Sequence, residues 1–183
     1  MPRPEILCRP VSAPDEAAVH HRIRHEVFVL EQEVFAASDL DAHDASDDAI
    51  KVVAWATSPP AASPLTGWEA GGAVRLYPLG GGDGRGGVWQ GDRLAVLGPF
   101  RAWNLGGPLV RFAVDTAASL GGLEMVAHVQ TANVRFFERL GWRRRGEPEL
   151  YVGLPHHLMA IDLTVPSARR RRVPATDRSP ARS

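Results

Sequence analysis

The 183-residue sequence has one cysteine, Cys8, so no disulfide can close within the chain and a reducing compartment is expected. It has no apolar run of about eighteen residues, which excludes a membrane-spanning helix. The opening MPRPEILCRP lacks the apolar core of a signal peptide, and the expected location is the cytoplasm. Net charge is also missing, since 21 basic residues meet 21 acidic ones. That balance hides an asymmetry. Residues 166–183 carry six Arg and one Asp, a net charge of +5, while residues 1–50 hold eleven acids against four Arg. An acidic N-terminal region suits a cationic acceptor such as an amine, and equally suits a solvated surface.

What is present is an ordinary globular composition, 44% apolar, consistent with one domain over residues 1–165. Residues 166–183 have no periodicity and many Arg, Pro and Ser, and read as a disordered tail. Its run Arg169 to Arg172 is a solubilising end; no nucleic-acid or membrane partner is expected of it.

A first strand is predicted at residues 5–9, then a helix begun by Ser12-Ala13-Pro14-Asp15 with a stripe of Ala17, His20, Ile23, Val27 and Leu30. Residues 31–48 lose the period and become an acidic surface loop or broken helix. Strands follow at 49–56, 72–77 and 89–96, separated by a loop at 57–71 and a glycine-heavy turn at 79–87. After a helix come a strand at 124–129, a short helix at 131–140, and two strands at 142–152 and 157–163.

The stretch from Asp92 to Leu120 organises this order. A strand ending at Val96 runs through an Asn/Gly/Gly loop into an amphipathic helix with Leu109, Phe112/Ala113, Thr116/Ala117 and Leu120 on one face. Pro108 suits the first turn and Gly121 the end. Unpaired N–H groups at such a helix start, backed by the helix dipole, form an anion site fit for a phosphate or pyrophosphate.

Two segments at this separation resemble the GNAT superfamily of N-acetyltransferases. Leu94-Ala95-Val96 through Arg101, Leu105-Gly106 and Leu109-Val110 follow the family's L-A-V-x-P-x-x-R-x-x-G-x-G-x-x-L-V segment without a gap. Asn133 and Phe136-Phe137-Glu138-Arg139-Leu140-Gly141-Trp142 resemble its second segment. Val27 to Gln32, Asp39 to Asp41, and the Gly153-Leu154-Pro155-His156 turn are similar to the ElaA-type branch and to a subfamily associated with nitrogen starvation. The resemblance covers about residues 5–163. It implies an α+β fold in three layers, with a mixed sheet of six to seven strands splayed between the fourth and fifth.

It also implies acetyl-CoA as cosubstrate, a small amine or amino-acid-like acceptor, no metal, and allows for a homodimer. Leu94, Ala95 and Val96 would pair with the pantetheine arm. Arg101, Ala102, Trp103, Asn104, Leu105, Gly106 and Gly107 would hold the pyrophosphate, with Asn133 and Phe136 near the thiol end. Asn104 replaces the first motif glycine, and asparagine tolerates the left-handed backbone needed there. Ala102 and Trp103 stand where basic residues are usual, so weaker CoA binding is expected.

Phe137 stands where many members have the tyrosine that protonates the leaving thiolate. The thiolate then leaves through water, or with a proton from another group, for which Tyr151 is a candidate. The alternative is a module that binds acyl-CoA with little or no turnover. Asp92, His128 and Glu31 are the candidates for the base that receives the amine proton. Asp92 is expected to share a strand face with Leu94 and Val96. His21 and His25 have zinc-like spacing but no third ligand in the sequence.

Overall fold

The computed structural model describes residues 4–57, 67–80 and 83–167. The expected tail, from residue 168 onward, lies outside the described residues. Seven strands form one mixed sheet: β1 (Ile6–Pro10), β2 (Ile50–Thr57), β3 (Trp68–Pro78), β4 (Val88–Val96), β5 (Glu124–Gln130), β6 (Arg143–Tyr151) and β7 (Leu154–Asp162). Their spatial order is β1-β2-β3-β4-β5-β7-β6. Every neighbouring pair is antiparallel except β4 and β5, which run parallel and are joined through helix α2 (Gly106–Ser119). The expected α+β architecture and its seven strands are therefore present. No described helix is long and apolar enough to cross a membrane.

Helix α1 (Pro14–Arg24) and α2 cover opposite faces of the sheet. A Cβ on Gly72 of β3 would lie 2.7 Å from Leu109 of α2, so that face is pressed against α2. Successive strand residues alternate sides, which turns Ala73 and Arg75 toward α1. The buried stripe of α2 is Leu109, Val110, Ala113, Val114 and Ala117, the three-to-four spacing read from the sequence. Leu120, expected on that stripe, is 40% exposed because the helix ends one residue earlier and Gly121 (φ 85°) turns the chain away.

Three boundaries differ from the sequence reading. The first helix continues as a π-helical turn, His25–Glu31, with Gln32 N–H donating to the Val27 carbonyl at 2.9 Å. That wider turn shifts the phase, burying Val29 and leaving Leu30 65% exposed. Strand β3 begins at Trp68, inside the expected loop, because Trp68, Glu69 and Ala70 find partners on β2. Strand β7 begins at Leu154, because Val152 (φ 51°) and Gly153 (φ 76°) make a two-residue hairpin turn.

The largest correction concerns the acidic loop. Asp47 and Asp48 are exposed, but Asp39, Asp41 and Asp44 are not a solvated surface; they are half of an ion network. Arg24 of α1, fully buried, donates to Asp39 at 2.7 Å and Asp44 at 2.5 Å. Arg75 of β3, also fully buried, holds Asp41 through two bonds of 2.7 and 2.8 Å and Asp92 through two of 2.9 and 2.7 Å. Arg93 of β4 adds Asp39 and Asp41 at 3.3 and 3.1 Å. Four carboxylates thus converge on three guanidinium groups and fasten the loop and α1 to the sheet. Burial opposes ionisation of Asp41 and Asp44. The bonds from Arg75 and Arg24 outweigh it and hold both carboxyls below their usual range.

Removing one partner leaves buried charge uncompensated, so Arg75→Ala should cost about 3–5 kcal/mol, read as a lower urea midpoint. His20, fully buried with Nε2 on the Val74 carbonyl at 3.1 Å, is pushed by burial down to about 3. The native state thus resists a proton that the unfolded chain accepts below about 6.5, so stability should fall as pH drops through that window. His20→Gln should flatten that part of the Tm–pH curve. The aspartates add a further loss only below about pH 4, where unfolded carboxyls take up protons.

Candidate functional site

Strand β4 leaves its neighbours twice. It pairs with β5 only at Val88, Trp89 and Gln90, after which the two strands diverge. On the other side, its register against β3 slips: Arg75 pairs with Asp92 but Ala73 pairs with Ala95. The extra residue is a bulge at Arg93, whose backbone is left-handed (φ 53°). Ala73 and Arg75 share a face of β3, so Asp92 shares its face with Ala95. The expected common face of Asp92, Leu94 and Val96 is lost to the bulge.

The divergence opens a cleft of about 530 Å³. Leu94 and Val96 line one wall; Asn104, Leu105, Gly106 and Gly107 form the end at the start of α2. Arg101, Asn133 and Phe136 complete the nine cofactor candidates that meet there. The remaining three do not. Ala95 is buried on the other face, Ala102 is exposed outside the cleft, and Trp103 packs edge-on to Phe100 at 5.1 Å. The loop is a 3₁₀ turn, Gly98–Trp103, capped by Asn104 in the left-handed conformation (φ 58°, ψ 38°). Arg101 lies across the cleft, its Nε on the Val96 carbonyl at 3.1 Å and its Nη2 on Glu31 at 2.7 Å.

A second cavity, about 120 Å³, shares Gln32, Leu94, Gln130 and Asn133 with the cleft. Phe28, Phe35 and Arg93 wall one side, Arg93 lying over the Phe35 ring at 4.8 Å. On the other side His128 stacks on Tyr151 at 4.6 Å and 9°, and His156 meets Tyr151 edge-on at 5.3 Å. His156 Nδ1 lies 2.8 Å from the Leu154 carbonyl, which can only accept, so Nδ1 carries the proton of that bond. This buried histidine ends the Gly-x-Pro-His turn read from the sequence, and it lines the second cavity. No Asp or Glu lines the cavity among the described residues.

The base candidates are thereby separated. Glu31 sits at the cleft, bound to Arg101. Asp92 has both oxygens bonded to Arg75 and accepts a longer bond from the Tyr77 hydroxyl at 3.4 Å. His128 alone faces the second cavity with no ion partner, beside the phenol of Tyr151. Burial, and then the neighbouring His156, lower its pKa, so it is neutral at pH 7. Phe137 is buried edge-on between Phe136 and Trp142. His21 lies 3.7 Å from Asp44, and among the described residues no group of three His, Cys, Asp or Glu could hold a metal.

No protein-family model matches the chain. It is 30% identical over 141 residues to YjcF of Bacillus subtilis, described as an uncharacterized N-acetyltransferase, covering 76% of this chain and 88% of that one. A Lactobacillus plantarum structure described as an N-acetyltransferase superposes with a TM-score of 0.68 at 23% identity, covering 88% of this chain and 99% of that one. An acyl-CoA N-acyltransferase structure from Pseudomonas aeruginosa gives 0.65 at 20% identity, covering 86% and 98%.

An NMR titration should find the His128 imidazole changing charge below the free value of about 6.5. His156→Ala should move it back upward, since one of the two influences holding it down is removed.

Proposed function

The chain belongs to the GNAT superfamily of N-acetyltransferases and is an acyl-CoA-dependent N-acyltransferase, and from that premise we propose that it moves an acetyl or similarly short acyl group onto the amine of a small or amino-acid-like acceptor by direct transfer. The observation that carries this reading is the junction at Gln32, Leu94, Gln130 and Asn133, where the long cleft meets the second cavity. The cleft takes CoA, its pyrophosphate on the N–H groups at the start of α2. The cavity takes the acceptor.

In this mechanism the amine nitrogen attacks the thioester carbonyl carbon, and a β4 main-chain N–H near Val96 faces the developing oxyanion. The C–S bond breaks, and the sulfur leaves with the electron pair. His128 receives the amine proton, being neutral and facing the cavity. Tyr151, stacked on it, supplies the proton to the thiolate in place of the missing tyrosine at Phe137. Asp92 and Glu31 act through their partners: Asp92 fixes Arg75, and Glu31 holds Arg101 away from the phosphates. The RLAV, VRFFERLGW and G-L-P-H-H-L-M stretches support the nitrogen-starvation subfamily with ElaA-like N-terminal features, acting in cytoplasmic nitrogen metabolism.

A second reading, acyl-CoA binding with little turnover, is favoured by Phe137, a ring with no proton to give. A CoA-release assay with acetyl-CoA and a panel of amines and amino acids separates the two. Turnover is expected; CoA binding without release for every acceptor would select the second reading. His128→Gln should lower kcat/KM by about 10²–10⁴ without weakening CoA binding, and the wild-type rate should fall as pH drops through the lowered imidazole pKa. Glu31→Gln frees Arg101 and should tighten CoA by about 1.5- to 5-fold, the range of an exposed ion pair, while Arg101→Ala weakens it; calorimetry reads both.

A further inference from the structure

A third cavity, about 60 Å³, lies where β4 and β5 part, between the sheet and α2. It shares Leu94 with both the cleft and the acceptor cavity, and His128 and Phe137 with the latter. Leu94 is thus the one side chain on which all three spaces converge. Apolar groups dominate the third one: Val74, Val110, Met125 and Trp142 around Gly91, Ala113 and Ala127. Its charged member, Asp92, has both oxygens turned to Arg75. An apolar void of this kind stays dry and takes apolar guests.

We propose that this void is an acyl subsite selecting a group larger than acetyl, with four-carbon chains such as butyryl and isobutyryl fitting best. The inference deepens the proposed function and rests on CoA occupying the cleft. A thioester held beside Leu94 has its acyl group at the mouth of the void. One water-sized group needs about 10–15 Å³ of such space, so the void holds roughly four, where acetyl offers a single methyl. The room is made by small residues from three elements. Gly91 lacks a Cβ that would meet the Met125 methyl at 2.7 Å, and Ala113 and Ala127 stop at one carbon. A chain selecting acetyl would gain by filling this space with its own side chains.

Calorimetric titration with free CoA, acetyl-CoA, butyryl-CoA and octanoyl-CoA tests this without knowledge of the acceptor. Butyryl-CoA should bind at least about tenfold more tightly than acetyl-CoA, and octanoyl-CoA should lose that advantage. Ala113→Leu fills the void and should bring the butyryl-to-acetyl ratio to about one. Gly91→Ala, whose added methyl pushes only the flexible end of Met125, should lower the ratio if Ala113→Leu does not fold. Equal binding of all the acyl-CoAs, or a butyryl preference that persists in the filled variants, overturns the inference and leaves the proposed function standing. Failure of every CoA species to bind removes both.

Discussion

The Arg–Asp network on the α1 face is the constraint on which the rest depends. Arg24 and Arg75 are fully out of solvent, and neither could be buried without the carboxylates around it. Their partners come from residues 39–44 and from Asp92, so burying the arginines draws the loop down onto β3 and β4. The loop follows the segment holding Phe28, Gln32 and Phe35, which walls the second cavity. An electrostatic requirement of the core therefore sets one wall of the site. The network also anchors Arg93 through Asp39 and Asp41, which supports a left-handed backbone at a non-glycine residue.

Strand β4 converts that constraint into a site. Its bulge turns Asp92 inward to Arg75 and sets Leu94 one step out of phase, while its loss of pairing after Gln90 opens the sheet toward β5. A regular β4 would close against β5 and leave no edge for an extended ligand. The helix behind the opening cannot drift, because the loop before it and α2 itself lie against β3 at Gly71 and Gly72. A Cβ on Gly71 would come within 2.4 Å of Phe100. Two glycines thus let the loop before α2 and the helix itself approach the sheet closely at the end of the cleft.

Much of this was legible in the sequence because it is local. The α2 stripe repeats within fourteen residues, and the loop before it shows its left-handed turn by the single residue Asn104. The ion network was not legible, because its pairs stand 15 to 54 residues apart and acidic runs look alike whether solvated or paired. Nor was the bulge: residues 92–96 alternate as any strand does, and one inserted residue reverses the face of Asp92. The π-helical turn displaced Leu30 for the same reason, a change of period that leaves no mark on composition.

The network also changes what the acidic N-terminal region means for the acceptor. Read as free charge, its carboxylates would draw a cation; five of them, Glu16, Glu31, Asp39, Asp41 and Asp44, are engaged with arginines, and the second cavity is lined by Arg93, two imidazoles, amides and aromatic rings. A cavity with a guanidinium and no carboxylate on its walls disfavours an ammonium ion both by desolvation and by like charge. Under the proposed function, an amine entering it would therefore be pressed toward its neutral form before attacking the thioester. On that reading the proton would then have little to hold it on nitrogen, and an imidazole of lowered basicity such as His128 would suffice to receive it. The low basicity of His128 comes from burial and then from His156, which together outweigh the pull of Glu149 and Asp92, while Asp39, Asp41, Asp44 and Asp92 are committed to Arg24, Arg75 and Arg93.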